Sequence, residues 1–89
     1  MSAGSWSPDG SRHLRMAAVQ TPAAQSVQAG LEHAAPLVAR AADEGARLVP
    51  APELMATYYV FTPHMWDSAE PTDGPTVHWL RETARRLGI

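Results

Sequence analysis

The chain has 89 residues, a net charge of −2 at neutral pH and a pI near 6.0, the length of one small domain at most. It contains no cysteine and no lysine, so its basic residues are seven arginines and four histidines. That composition excludes a disulfide framework and a thiolate metal site, and the charge gives no electrostatic reason to expect nucleic acid or an anionic membrane as a partner.

Residues 1–13 hold Ser, Gly, Pro and Asp around a lone Trp6 and show no periodicity, which predicts a disordered leader. Residues 14–19 read as a short buried strand, broken by Gln20-Thr21-Pro22. The apolar run from Met16 to Val19 is too short for a signal-peptide core or a membrane span, so the expected location is the cytoplasm, by default.

A helix is predicted from Ser26, as N-cap, to Glu44, with Val27, Leu31, Ala34, Val38 and Ala41 on one apolar stripe. Pro36 sits inside it and removes one backbone bond, which predicts a kink. Gly45 is the expected left-handed stop, and residues 47–51 form the second strand. Just past that strand stands one carboxylate, Glu53, at the strand end where parallel α/β sheets place ligands and chemistry. Seated beside apolar Leu54 and Met55, it is expected to be buried.

Residues 54–73 read as a long irregular connection carrying Tyr58, Tyr59, Phe61, His64 and Trp66. A second helix starts at Gly74-Pro75, with Val77, Leu80, Ala84 and Leu87 as its stripe. Glu82 and Arg86 are spaced to pair, and Arg85 and Arg86 suit the negative helix end. Gly88 closes this helix, and Ile89 looks like the start of a third strand. A β-α-β-α order implies parallel pairing with more than two strands, so the chain is expected to be the N-terminal piece of a larger domain.

Taken together, these residues resemble the nitrilase-like carbon–nitrogen hydrolases, a family of amidases, nitrilases and carbamoyl-amine hydrolases. The resemblance covers roughly residues 14–89. It rests on Met16-Ala17-Ala18-Val19-Gln20, on Gly45-Ala46-Arg47-Leu48-Val49 leading to Pro52-Glu53-Leu54, and on Ala69-Glu70-Pro71. It continues through Asp73-Gly74-Pro75-Thr76-Val77 to Ala84-Arg85-Arg86-Leu87-Gly88-Ile89. It implies an α/β fold, the opening β-α-β-α segment of an α-β-β-α sandwich, and a Glu-Lys-Cys mechanism with no cofactor. By position Glu53 matches the general base and Tyr59 a substrate-binding residue. The Lys and Cys of the family would lie further along than residue 89. The substrate implied is a small amide or nitrile, and a homo-oligomer is compatible with the family.

Two departures stand out. Proline occupies position 50, where the family usually has a branched apolar residue, and it removes a ladder donor. Tyr58 stands where the family often has glycine before its tyrosine, which implies a different turn. Plainer readings run beside these. Taken without the surrounding pattern, Glu53 reads as a capping or surface acid, the commonest fate of a Glu in a loop, and aromatics such as Tyr59 and Phe61 are more often anchors of their own loop. His64 with Asp67 lacks the clustering of a metal site, and Arg81, Arg85 and Arg86 are accounted for by the helix dipole. No phosphate loop or dinucleotide fingerprint is present. The alternative to an enzyme segment is a non-catalytic relic or interaction piece with the same partial fold; an unrelated receiver-like module lacks its acidic cluster after the first strand.

Overall fold

A computed structural model describes residues 5–6, 12–53, 55–56 and 63–89. Two short strands, β1 (Ser5–Trp6) and β2 (Arg12–His13), pair antiparallel, with Ser5 opposite His13 and Trp6 opposite Arg12. Three helices follow: α1 (Val27–Asp43), α2 (Pro63–Asp67) and α3 (Pro75–Leu87). The β1–β2 pairing falls within the segment whose sequence carries no pattern.

The strands expected over residues 14–19 and 47–51 are reduced to a single parallel bridge, Met16 to Leu48. Around it Arg47 N–H donates to the Arg15 carbonyl at 2.8 Å, and Ala17 N–H to the Leu48 carbonyl at 3.1 Å. In this register the next bridge would join Ala18 to Pro50, and it needs two bonds. Val19 N–H does reach the Pro50 carbonyl, at 3.0 Å. The other bond requires an N–H on residue 50, which proline lacks. Regular pairing therefore stops where the sequence puts its proline.

Side chains still alternate as on a strand. Leu14, Met16 and Leu48 are about half exposed, whereas Val19 is buried and Ala17, Arg47 and Val49 are half-buried. The described residues thus hold a bridge flanked by α1 and α3, and they contain no extended parallel sheet.

Helix α1 forms as its sequence dictates. Ser26 is extended, and its Oγ accepts from Ala29 N–H at 3.0 Å, satisfying one of the orphan amides of the first turn. Pro36 lies in the helix on an exposed position, and helical structure runs through it without a break. At the other end Gly45 takes φ +94°, its N–H donating to Ala42 and that of Ala46 to Ala41, each at 3.0 Å. This is the 6→1, 5→2 closure that needs a left-handed residue and hence favours glycine. The buried face holds Gly30, Ala34, Val38 and Ala41, while Val27 and Leu31 are half-buried.

Helix α3 begins at the expected proline, and Val77, Ala84 and Leu87 of its expected stripe are half-buried. Its buried residue is Thr83, and Leu80, expected inward, is 46% exposed. Trp79 and Thr83, four residues apart, line a cavity beside α1 together with Leu80 and Ala84 of that stripe. Glu82 pairs with Arg85 rather than Arg86, three residues on instead of four, through two bonds of 3.2 and 2.5 Å. Gly88 (φ +69°) ends the helix, and Ile89 N–H donates to Ala84 at 3.1 Å. The amide expected to open a third strand is spent closing this helix.

Among the described residues the buried apolar side chains are Val19, Ala24, Ala34, Val38, Ala41 and Ala46, four of the six being alanine. Among the described residues no large side chain is fully buried, so each of their contacts removes little apolar surface from water. The Cα radius of gyration, 15.3 Å, exceeds the roughly 12 Å of a compact domain of this length. No described helix is long and apolar enough to cross a membrane.

Candidate functional site

Glu53 lies five residues beyond the bridge at Leu48, past the end of the parallel pairing. Met55 N–H donates to the Pro52 carbonyl at 3.1 Å, closing a turn over Glu53. The carboxylate is exposed, which corrects the expectation of burial beside Leu54 and Met55.

The turn is held from below. Residues 55 and 56 run across α1 at Gly30, so closely that a Cβ there would lie 2.5 Å from the Met55 carbonyl oxygen and 2.8 Å from the Ala56 Cα. Beside the turn, a cavity of about 240 Å³ opens between α1, residues 47–51 and α3. Val38, Val49, Ala51, Met55, Thr83 and Ile89 are among its lining residues, while Glu53 stands outside it. A second cavity, of about 510 Å³, separates the first turns of α1 and α3, with Val27, Leu31, Ala35, Pro75 and Trp79 in its walls. Both are walled mainly by apolar groups and suit apolar occupants.

Two arginines tie the helices to the strand residues. Arg15 Nη1 donates to the Glu44 carbonyl at 2.8 Å at the end of α1, and Arg47 Nη1 to the Gly88 carbonyl at 2.7 Å at the end of α3. Both satisfy C-terminal carbonyls at the negative pole of a helix. At the start of α3 the N-cap, Gly74, has no side chain to offer. Glu70 reaches in instead, its Oε1 accepting from Thr76 N–H at 2.7 Å and its Oε2 from the Thr76 hydroxyl at 2.5 Å.

The Glu82 carboxyl is held below its ordinary value of 4.5, first by the hydrogen bond from Arg85 and then by the nearby charges of His78 and Arg86. It sits on the exposed side of α3. Among the described residues no group of three or more His, Asp or Glu side chains is placed to hold a metal ion. Tyr59, with Tyr58 and Phe61, lies outside the described residues, as does the side chain of His64.

The model of one family, carbon–nitrogen hydrolase, matches residues 15–89. The chain belongs to that family. The match takes in the bridge, α1, the Glu53 turn and α3, and leaves out β1 and β2. Family membership supports hydrolysis of carbon–nitrogen bonds as the general activity. No curated protein and no solved structure matches the chain.

Sequence reasoning misses Gly30, Glu70, Trp79 and Thr83. Gly30 carries a legible signal, since glycine inside a helix costs roughly 0.5–1 kcal/mol against alanine and calls for a steric reason. Glu70 is legible too, as an acid a few residues ahead of a helix whose cap has no side chain. Thr83 gives none, because its burial depends on the rotation of α3 against α1.

Proposed function

We propose that Glu53 is the general base of a hydrolase acting on non-peptide carbon–nitrogen bonds (linear amide, carbamoyl-amine or nitrile) through a Glu-Lys-Cys mechanism. A thiol of ordinary pKa is mostly protonated at neutral pH, so a carboxylate that accepts its proton raises the nucleophile's concentration. The thiolate adds to the amide or nitrile carbon, and an ammonium stabilises the negative charge that develops on oxygen or nitrogen. With an amide, the carboxylic acid returns the proton to the departing amine, and water then cleaves the thioester to acid and free thiol.

In this reading residues 14–89 are the opening portion of an α-β-β-α sandwich and residues 1–13 its leader. Tyr59 forms part of the substrate wall, and no cofactor takes part. The Lys and Cys are supplied from outside these 89 residues, so the 89-residue chain alone hydrolyses nothing.

One observation carries the reading: an exposed carboxylate on a closed turn past the end of the parallel pairing, inside the span that matches the family. The test joins the chain to a Lys- and Cys-bearing remainder of the domain and compares Glu53 with Glu53→Gln on simple linear amides. The amide side chain keeps shape and loses proton acceptance, so the rate should fall about 10²–10⁴-fold. Near-full activity of Glu53→Gln, or turnover by the 89 residues alone, overturns it.

A second reading, an interaction piece without chemistry, draws on the exposure of Leu14, Met16 and Leu48, all even-numbered positions of the paired segments. It predicts stable association with the remainder of such a domain and no turnover by the joined protein.

A further inference from the structure

We propose that Gly30 is a positioning residue for Glu53, acting through the backbone of residues 55 and 56; the inference rests on Glu53 being the general base. Gly30 is buried at the end of the first turn of α1, where the backbone is helical and needs no glycine for its φ. What it supplies is space. The atoms facing the absent Cβ are the Met55 carbonyl oxygen at 2.5 Å and the Ala56 Cα at 2.8 Å, both backbone, with the Ala24 Cβ at 3.3 Å behind them.

A flexible side chain could swing aside from a new methyl group; these backbone atoms cannot. To restore ordinary contact the segment must move by about 1 Å relative to α1. Met55 is also the residue whose N–H closes the turn onto the Pro52 carbonyl. The movement is therefore applied directly to the arm that carries Glu53. A displacement of about 1 Å from the productive geometry can cost roughly 10²-fold in rate, enough to make a residue remote from the reacting atoms matter to them.

Propensity pulls the other way and makes the test decisive. Alanine is the better helix former, so Gly30→Ala in an uncrowded helix would only slow amide exchange along α1. We expect instead that Met55 amide exchange in the full chain accelerates by at least about tenfold. The amide signals of Glu53, Met55 and Ala56 should shift, while those of α3 (Val77 to Leu87) stay in place. Glu53→Gln should leave Met55 protection unchanged, so loss of the carboxylate's chemistry and loss of the turn are read separately.

Unchanged Met55 exchange in Gly30→Ala overturns the proposal, as does an unprotected Met55 amide in the unsubstituted chain. If α1 and α3 lose protection together with Met55, Gly30 is a packing residue of the whole fold, and the positioning role is again overturned. Ala29→Gly, one position away and half-buried, provides the comparison: it should loosen α1 without moving the Glu53, Met55 and Ala56 signals.

Discussion

Glu70 holds Thr76 with both oxygens of its carboxylate, one on the backbone N–H at 2.7 Å and the other on the hydroxyl at 2.5 Å. The pair does for α3 what Ser26 does for α1, from four residues ahead of a glycine that cannot cap. Gly74 is needed for this arrangement, since a Cβ there would lie 2.8 Å from the Glu70 Cβ and 2.9 Å from its Oε1. An acid at a helix N-terminus also complements the dipole.

Replacing Glu70 separates these contributions. Glu70→Ala removes a cap worth about 1 kcal/mol, which should lower the folded ratio of α3 roughly fivefold. Glu70→Gln keeps an acceptor for the Thr76 amide but loses the charge, an effect of about 0.3–1 kcal/mol, and the second oxygen that accepts from the Thr76 hydroxyl. Amide exchange at Thr76 and His78 reads the order: alanine fastest, glutamine intermediate, glutamate slowest. Equal rates for all three would show that the cap is not formed in solution.

The 89-residue chain should not melt in one sharp step. Its buried apolar set is mostly alanine, Met16, Leu48 and Leu80 remain about half exposed, and ordering the backbone costs about 1–2 kcal/mol per residue. Circular dichroism at micromolar protein should show helix lost over a broad range of temperature. A steep transition in a verified monomer, with matching calorimetric and van't Hoff enthalpies, would contradict this.

What can be read from residues alone is local. Ser26, Gly45, Pro75 and Gly88 each act on their own neighbours, and each marks the helix end expected of it. What cannot be read is rotational or long-range. How deeply Leu80 and Thr83 are buried depends on how α3 rolls against α1, and a stripe of Val77, Leu80, Ala84 and Leu87 does not encode the partner's position. The second strand fails for a reason visible in the sequence: its apolar pattern runs through Pro50, and pattern alone ignores the missing N–H. Glu53 is legible as a carboxylate just past the second paired segment, while its exposure belongs to the Pro52–Met55 turn, whose residues 55–56 pass over Gly30.

Acid should weaken α3 through Glu82. Its carboxyl titrates below the ordinary 4.5 in the folded chain because Arg85 donates to it. The folded state therefore binds its proton less readily than the unfolded state does. The stability it lends is present above pH 4.5 and is lost as pH falls through the lower folded value. The pair is exposed, so the effect is small and screened by salt. Helicity of Glu82→Gln should trail the unsubstituted chain at pH 7 and low salt, and the gap should close in acid. A gap that persists or widens in acid would assign the helix support to something other than this pair.

Pro50→Val should lengthen the parallel pairing. In the observed register, residue 50 already accepts from Val19 N–H and lacks only the hydrogen that would reach the Ala17 carbonyl. Valine supplies that donor, favours the extended conformation and places its side chain where Pro50 is exposed, so no core contact is lost. A new backbone bond is worth about 0.5–1.5 kcal/mol. Against it stands the conformational freedom that proline denies the unfolded chain, about 0.4–1 kcal/mol. The two nearly cancel, so stability is a poor readout and the bond itself must be observed. Exchange of the new backbone amide at position 50 should be slowed, and the Ala17 carbonyl should register a trans-hydrogen-bond coupling to it. If that amide exchanges at the rate of an open chain, the bridge between Met16 and Leu48 is limited by something other than the missing proline hydrogen. The exposed face of Leu14, Met16 and Leu48, with no second layer among the described residues, would then be the first place to look for that limit.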